Sequence, residues 1–292
     1  MAESTEARIR TIQTMDYLKL LRVKHYIKNL LVFLPLFFGQ GFFDSACLKN
    51  GVLGFLAFCA ISSSVYILND YRDIEKDRRH PTKKNRPLAS GRIRTKTALV
   101  IMAVCIAAAA LISVLIGKLP AGICLLLYYI LNVAYSMGLK NRPIIDIVIL
   151  ASGFVIRVFY GGFVTGIPIS NWLYLMVITV SLYMGLGKRR NELRRQTDTR
   201  EVLKYYTIPF LDKNMYVCVA LAIVFYALWT IEMSDHRLIW TVPLVIIILL
   251  CYSFDIEGDS DGDPVEVILH DKVLLMLGIA YVAGIFLLLY IC

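Results

Sequence analysis

Carboxylates that could hold a divalent metal are concentrated in one polar stretch, residues 69–91, which reads NDYRDIEKDRRHPTKKNRPLASG. Asp73 and Asp77 are four residues apart, so on a helix they share a face, and Asp70 lies one turn earlier on nearly the same face. Stacked like charges destabilise a bare helix unless a cation neutralises them. Magnesium is typically held by one or two carboxylates together with substrate phosphates. The stretch therefore predicts a magnesium site, and its alternative is a solvated helix end of mixed charge.

Basic side chains follow these carboxylates directly. They are Arg78, Arg79, Lys83, Lys84 and Arg86. Carboxylates able to hold magnesium, surrounded by Lys and Arg, are what a phosphate- or diphosphate-bearing substrate requires. The chain contains neither a GxxxxGK[ST] loop nor a GxGxxG turn, so nucleotide hydrolysis of the usual kind is not supported. No Ser/His/Asp or Cys/His set indicates a covalent nucleophile, because the four histidines lie in unrelated segments.

A second set of ionisable residues lies at the junction of two apolar segments. Tyr135 and Lys140 close one segment, whereas Asp146 and Arg157 fall within the next, eleven residues or about three helical turns apart. Ionisable residues inside a membrane helix are costly and face a partner or a wet cavity. This pair indicates either a polar pocket at the end of a helix bundle or an ion pair that ties two helices together.

Two further lysines could reach the same side of the molecule. Lys188 closes another apolar segment and is followed by Arg189 and Glu192, and Lys28 precedes the first apolar segment. The alternative for Lys28 is a side chain that extends to the lipid headgroups. Four segments distant in sequence would thus deliver carboxylates and cations to one face of a membrane.

The composition defines the elements that must position these residues. Of the 292 residues, 58% are hydrophobic, and the mean hydropathy is +0.65, whereas soluble domains are about 45–50% apolar. The charges are packed between long apolar runs, which is typical of a polytopic membrane protein. A net charge of +9 then indicates cytoplasmic loops and contact with membrane lipids rather than a nucleic-acid partner. The seven cysteines form no CxxC or Cys/His cluster, so neither disulfide nor zinc is expected.

About twenty apolar residues cross the hydrocarbon core, and by that measure the sequence predicts nine transmembrane helices. They cover residues 28–46, 51–69, 97–117, 119–138, 143–164, 171–188, 215–233, 238–254 and 272–291. Residues 1–26 are predicted to be a cytoplasmic N-terminal segment, and residues 27–292 a single transmembrane domain. Lys and Arg are concentrated in the loops at 70–96, 139–142 and 189–214. Because such loops stay inside, we expect the candidate site on the cytoplasmic side of the membrane.

One motif carries a resemblance to a known family. Asn69-Asp70-x-x-Asp73-x-x-x-Asp77, on the second predicted helix, resembles the first Asp-rich motif of the UbiA superfamily of intramembrane prenyltransferases. The resemblance implies an all-α integral membrane bundle of nine helices around a central cavity, with cytoplasmic-side loops over it. It also implies Mg²⁺ as the cofactor, held by Asp73 and Asp77, with Asp70 as a further candidate ligand and Asn69 beside them.

The chain departs from the usual pattern of that superfamily, in which a second Asp-rich motif helps to grip a prenyl diphosphate. The corresponding residues 135–146 contain Lys140 and, as their only acid, Asp146. In this departure the chain resembles the decaprenyl-phosphate phosphoribosyltransferase branch of the superfamily. The run from Asp77 to Gly91 and the motif Gly153-Phe154-x-x-Arg157 also resemble that branch. Those enzymes, from bacteria with arabinose-containing cell walls, move 5-phosphoribose from phosphoribosyl diphosphate (PRPP) to a polyprenyl phosphate. The prenyl lipid is then the acceptor.

The resemblance implies roles for the other candidates. Lys28 and Lys140 join Asp73 and Asp77 as catalytic candidates. The candidates for substrate contacts are Asn69, Asp70, Lys83, Arg86, Tyr135, Asp146, Arg157 and Lys188. It also implies a multi-pass protein of the bacterial plasma membrane, compatible with a homo-oligomer.

Two alternative functions remain open at the level of sequence. One is a UbiA-type prenyltransferase that moves a prenyl group from a prenyl diphosphate to an aromatic acceptor. The other is a non-enzymatic transporter or lipid-binding protein. A transport pathway should place polar residues through the midplane and on both sides of the membrane. The clustering of charges at one predicted face therefore disfavours transport.

Overall fold

The chain folds into a bundle of helices. The computed structural model describes residues 14–195, 200–233, 235–258, 267 and 270–291, and these ranges contain helices and turns but no strand. The α-helices are α1 (14–21), α2 (Leu34–Phe38), α3 (Ser45–Arg72), α4 (Ile74–Arg78), α5 (Thr95–Ile116), α6 (Leu119–Met137), α7 (Ile145–Thr165), α8 (Asn171–Arg195), α9 (Ile208–Glu232), α10 (Val242–Glu257) and α11 (Lys272–Tyr290). Helix α7 is central, because it packs against α3, α6 and α8.

Seven helices of the described ranges are long and apolar enough to cross a membrane: α3, α5, α6, α7, α9, α11 and the continuous stretch His236–Glu257 that contains α10. The protein is therefore an integral membrane protein. The predicted count of nine spans is not confirmed. Helix α8 has 25 residues, but polar groups near its ends leave it outside this set. The predicted span at 28–46 is a 3₁₀ segment, Val23–Phe33, followed by the five-residue α2.

The 3₁₀ segment Val23–Phe33 lies directly against α7. A Cβ atom on Gly161 would be only 2.0 Å from the carbonyl oxygen of Val32, so this contact requires a residue without a side chain. The close approach places Lys28 and the buried Asn29 beside the polar residues of α7. A broken, partly polar segment of this kind is tolerated at membrane depth where it lines a cavity.

The Asp-rich motif spans the end of one helix and the start of another, rather than one continuous helix. Asp44 caps the start of α3 by accepting from the backbone N–H of Ala46 at 2.8 Å. The helix ends at Arg72, and α4 begins at Ile74, so Asp73 lies at the break between them. The backbone hydrogen bonds from Asp73 N–H to Asn69 O and from Asp77 N–H to Asp73 O nevertheless continue through this break. Arg86 Nη1 contacts both Asp70 and Asp77, so these carboxylates stay on one side of the motif.

Two glycines shape the turns around α6. Gly117, at φ 67°, ends α5 and makes the tight turn that leads into α6. Gly138, at φ 144°, ends α6 and starts the short 3₁₀ turn Leu139–Asn141. This turn brings Lys140 back toward the Asp-rich motif.

The part of the N-terminal segment that is described packs onto the bundle. Leu20 of α1 is fully buried against residues of α3 and of the loop before α5, and Asp16 pairs with Arg92 at 3.4 Å. Residues 1–13 lie outside the described residues. The predicted division into a segment 1–26 and a domain 27–292 stays a prediction, and position 26 falls within the 3₁₀ segment.

Candidate active site

A first cavity, here called the outer cavity, contains the Asp-rich motif. Its volume is about 90 Å³. It is lined by Asn69, Asp73, Lys76, Asp77, His80, Lys83, Arg86, Tyr135, Lys140, Asn141 and Arg200. The structure therefore brings seven of the sequence-predicted site residues together here, from α3, α4, the loop after α4 and the end of α6. An opening lined by carboxylates and cations in this way suits a phosphate ester with a metal ion.

A second cavity, the inner cavity, lies among α3, α6, α7 and the 3₁₀ segment. Its volume is about 200 Å³. It is lined by Arg22, His25, Lys28, Val65, Tyr66, Asn69, Tyr128, Asn132, Tyr135, Ser136, Ile149, Leu150, Gly153, Phe154, Arg157 and Lys188. The predicted residues Lys28, Arg157 and Lys188 thus meet here, although they come from three distant segments. None of the lining residues is acidic, so the cavity suits an anion.

Asn69 and Tyr135 line both cavities. Asn69 accepts a hydrogen bond from the hydroxyl of Ser136 at 3.2 Å, which ties the end of α3 to the end of α6. A molecule that occupied both cavities would pass these two side chains. The junction between the cavities is therefore where a bond between two bound groups could be made or broken.

The two carboxylates of the outer cavity are paired with cations. Lys140 Nζ lies 3.2 Å and 3.3 Å from the two oxygens of Asp73, and Arg86 Nη1 lies 2.7 Å from Asp77 Oδ2. Burial raises the pKa of Asp77, whereas the adjacent Arg86 guanidinium lowers it. A bound metal ion would, like Arg86, favour the ionised form of Asp77 and so lower its pKa.

Asp70 does not line either cavity. Its Oδ1 accepts from Arg22 at 2.5 Å and from Arg86 at 3.1 Å, and it is almost fully buried. Arg22 itself lies in the left-handed region, at φ 54°, and lines the inner cavity. In this arrangement Asp70 holds one arginine of each cavity, and its predicted role as a metal ligand finds no support.

Arg157 is a buried cation whose partners are neutral. Its guanidinium donates to Asn29 Oδ1 at 2.8 Å, to the Gly153 carbonyl at 2.6 Å and to the Tyr128 hydroxyl at 3.2 Å. It also lies 4.8 Å from the ring centroid of Phe58. No carboxylate of the described ranges pairs with it, and a buried charge without a counter-ion is costly. An anion bound in the inner cavity would remove that cost.

Asp146 does not line either cavity, and it does not pair with Arg157. Its fully buried carboxylate accepts from Arg189 Nε at 2.5 Å and from the Tyr206 hydroxyl at 2.5 Å. The ion pair that the sequence predicts as an alternative would join Asp146 to Arg157, but the structure pairs Asp146 with Arg189 of α8. The expected contact with substrate is not available to this carboxylate, because protein donors already occupy it.

The outer cavity fits a divalent metal that a substrate helps to hold. Within the described ranges, no group of three or more His, Cys, Asp or Glu side chains could bind a metal by itself. Asp73, Asp77 and Asn69 supply hard oxygen donors to one cavity. Magnesium needs only one or two protein carboxylates when phosphate oxygens and water complete its shell. The donor set is therefore compatible with a metal bound together with a phosphorylated substrate.

Several lining residues were not on the sequence-derived list. His25 and Tyr66 line the inner cavity and His80 the outer cavity, although the histidines had been assigned to unrelated segments. The second missed group consists of polar residues in apolar runs. Asn132 of α6 lines the inner cavity, whereas Asn29, in the first apolar run, accepts a hydrogen bond from the lining residue Arg157 at 2.8 Å. An amide inside a membrane segment was the available signal for these two.

The fold and the two cavities define an all-helical membrane protein with two polar cavities, rich in cations, at one end of its bundle. The UbiA prenyltransferase family model matches residues 31–267. The chain belongs to the UbiA prenyltransferase family.

Similar proteins agree with this membership. The chain is 36% identical, over 288 residues, to decaprenyl-phosphate phosphoribosyltransferase of Corynebacterium glutamicum, covering 94% of this chain and 86% of the relative. It is 35% identical to the protein of the same name from Mycolicibacterium smegmatis, covering 92% and 90%. A UbiA homolog from Archaeoglobus fulgidus bound to GPP and Mg²⁺ has the same fold, with a TM-score of 0.73 at 22% identity, covering 93% of this chain and 99% of that one.

Proposed function

We propose that this protein transfers 5-phosphoribose from PRPP to a polyprenyl phosphate and releases diphosphate. The observation that carries the proposal is the cationic inner cavity, with the buried Arg157 and with Lys28 and Lys188 in its lining. A second anionic substrate suits this cavity better than an aromatic acceptor does. The relatives named above are decaprenyl-phosphate phosphoribosyltransferases, which supports the same reaction.

The outer cavity would hold the diphosphate of PRPP. Asp73 and Asp77 would bind Mg²⁺, with Asn69 beside them, and the ion when bound neutralises charge on the departing diphosphate. Lys140, Lys83 and Arg86 would contact phosphate oxygens, since all three line this cavity. Lys140 and Arg86 now pair with the carboxylates, so they would exchange these partners for phosphate when substrate and metal bind.

The inner cavity would hold the phosphate of the lipid acceptor. Lys28, Arg157 and Lys188 would orient it, and residues of α3, α6, α7 and α8 line the cavity. The acceptor phosphate is anionic at neutral pH, so no general base is required. One of its oxygens attacks C1 of the ribose in line with the departing diphosphate, which predicts inversion at C1. Retention of configuration would contradict a single displacement.

The cellular setting is part of the proposal. We place the protein in the bacterial plasma membrane with both cavities toward the cytoplasm, because the loops around the outer cavity are rich in Lys and Arg. The product would be a precursor for cell-wall arabinan. A homo-oligomer stays a prediction.

The test is an assay for transfer to lipid. Membranes containing the protein are incubated with labelled PRPP, Mg²⁺ and a polyprenyl phosphate, and we expect label to become extractable with lipids. Membranes lacking the protein are the control. If no lipid label forms while a labelled prenyl diphosphate is consumed with an aromatic acceptor, the protein is a prenyltransferase instead. If neither substrate is consumed, the enzymatic assignment is wrong and a transporter becomes the better interpretation.

A further inference from the structure

The hydroxyl oxygen of Tyr135 accepts hydrogen bonds from two arginines. Arg189 Nη2 lies 3.0 Å away and Arg200 Nη1 lies 3.3 Å away. A guanidinium can only donate, so both contacts use lone pairs of the phenol oxygen and leave its proton available. No acceptor for that proton is found among the described residues. Because Tyr135 lines both cavities, its O–H is the donor at their junction.

Arg189 is held rigidly by a chain of buried groups. Its side chain is fully buried, and its Nε donates to Asp146, whose other oxygen accepts from the Tyr206 hydroxyl at 2.5 Å. Burial and the bond to Asp146 raise the pKa of Tyr206, so this hydroxyl keeps its proton and remains the donor. The Tyr206 oxygen in turn accepts from the backbone N–H of Ile144 at 2.6 Å. Glu192 contacts Arg189 as well, and lies 3.7 Å from Arg200.

Two features of this chain of contacts are costly in free energy. Asp146 and Arg189 form an ion pair with no exposed surface on either side chain. Ile144 adopts φ 66° and ψ −47°, a conformation that a β-branched residue strongly disfavours. Strain of this kind persists where the surrounding structure enforces it, commonly at functional sites. Here Arg189 of the buried pair contacts the hydroxyl oxygen of Tyr135, and the strained Ile144 supports that pair through its hydrogen bond to Tyr206.

We propose that Tyr135 donates a hydrogen bond to the oxygen that leaves C1, and that Asp146 and Tyr206 are positioning residues that act through Arg189. The inference rests on the proposed function. In that reaction the C1–oxygen bond to diphosphate breaks, and its electron pair stays on the departing oxygen. A lone pair of the acceptor phosphate forms the new C1–oxygen bond. The Tyr135 proton stays on the phenol throughout, and the two arginines polarise the O–H bond toward the developing charge.

The first measurement separates kcat from KM in the Tyr135→Phe variant. Removing one donor to a transition-state oxygen costs about 100-fold or more in kcat, and we expect a loss of that order with KM for PRPP changed less than about twofold, since ground-state binding is untouched. Tyr183→Phe is the matched control, because it removes a buried hydroxyl that contacts Ser253 and not this network. A kcat near that of the wild type in Tyr135→Phe would overturn the donor role.

The second measurement is a double-mutant cycle. Tyr206→Phe keeps the ring and removes only the hydroxyl that holds Asp146, and we expect it to lower kcat about tenfold. In the Tyr135→Phe background the same change should have little further effect, because the hydroxyl through which it acts is gone. Equal losses in both backgrounds would show that Tyr206 supports the fold alone, and would overturn the positioning role. A thermal-unfolding scan of each variant verifies that the bundle is intact.

The wild-type protein in the same assay distinguishes a failure of the proposed function from a failure of the role given to Tyr135. Transfer from PRPP by the wild type together with unaffected variants would reject the role of Tyr135 and leave the proposed function standing. Absence of transfer by the wild type would reject the proposed function, and with it the departing oxygen as the acceptor of this hydrogen bond.

Discussion

Arg157 and Arg189 are both buried arginines, but their surroundings give them different roles. Arg189 has two carboxylate partners, Asp146 and Glu192, so its charge is compensated within the protein. Arg157 donates hydrogen bonds only to neutral groups among the described residues, namely an amide, a carbonyl and a hydroxyl, and it lines the inner cavity. Of these two arginines, Arg157 is the one whose charge a bound anion would stabilise. We therefore expect Arg157 to bind a ligand and Arg189 to serve the structure.

Arg157→Gln tests that difference. The substitution keeps a polar side chain but removes the charge, so we expect KM for polyprenyl phosphate to rise by at least about tenfold, which corresponds to about 1.4 kcal/mol. KM for PRPP should change much less, because the outer cavity is intact. Arg78→Gln is the control, since Arg78 is exposed and its partners within the described ranges are Glu75 and the Ala89 carbonyl. If the KM values for polyprenyl phosphate and PRPP both rose to a similar extent in Arg157→Gln, Arg157 would instead contribute to binding PRPP.

Metal dependence tests the two carboxylates of the outer cavity. Transfer should cease when a chelator removes divalent cations and return when Mg²⁺ is added back. Asp73→Asn and Asp77→Asn should each abolish transfer while the bundle still unfolds at its normal temperature, because both residues line the outer cavity and would coordinate the ion. Near-normal activity in either variant would contradict its role as a ligand.

The position of the 3₁₀ segment Val23–Phe33 depends on its close contact with Gly161 of α7. Gly161→Ala would place a methyl group 2.0 Å from the Val32 carbonyl oxygen, so the segment must move away. We expect a loss of about 1–3 kcal/mol in stability, seen as a lower unfolding temperature in detergent. Transfer should also fall, because Asn29 would no longer orient Arg157.

Gly278→Ala provides the control for that substitution. A methyl group on Gly278 in α11 would meet no atom within 4 Å. Replacing a helical glycine with alanine without a clash should leave stability unchanged or raise it by about 0.5–1 kcal/mol. If Gly161→Ala behaved in the same way, the 3₁₀ segment would be more adaptable than its packing indicates.

The elements that hydropathy predicts correctly are long runs dominated by apolar residues. Eight of the nine predicted spans coincide with helices, and seven of these, such as α5 and α11, are long and apolar enough to cross a membrane. A run of apolar residues in lipid must satisfy its backbone groups as a helix. The failures occur where polar contacts decide the backbone. The span predicted at 28–46 is broken, with Arg22 at a positive φ before the 3₁₀ segment that packs on Gly161. Helix α3 likewise ends at Arg72, within the Asp-rich motif, at a position that no periodicity indicates.

The candidate site shows the same division between local and long-range information. Residue type and spacing identified Asp73, Asp77 and Lys140, which do line one cavity. Spacing also placed Asp146 with Arg157, but the partner of Asp146 is Arg189, which is 43 positions away in sequence. Which arginine faces a carboxylate and which faces a cavity depends on how α7 and α8 pack. One sequence without that packing leaves both options open.

The candidate site must face the compartment that supplies its substrates. Both cavities lie at the end of the bundle where α3 and α6 finish, beside the basic loop that contains Lys84. The opposite end carries the α5–α6 hairpin with the exposed Lys118. PRPP is a soluble, highly charged sugar that cannot cross the hydrocarbon core unaided. The proposed function therefore requires the Lys84 side to be cytoplasmic.

Paired cysteine variants measure this orientation directly. Lys84→Cys and Lys118→Cys both replace an exposed lysine, one at each end of the bundle. With a thiol reagent that does not cross membranes, intact cells should label Lys118→Cys above the wild-type background, and Lys84→Cys should become labelled only after the cells are opened. The wild type is the baseline because the chain already contains seven cysteines. Labelling of Lys84→Cys in intact cells would place both cavities outside, where cytoplasmic PRPP could not reach them, and the proposed function would then fail with the orientation.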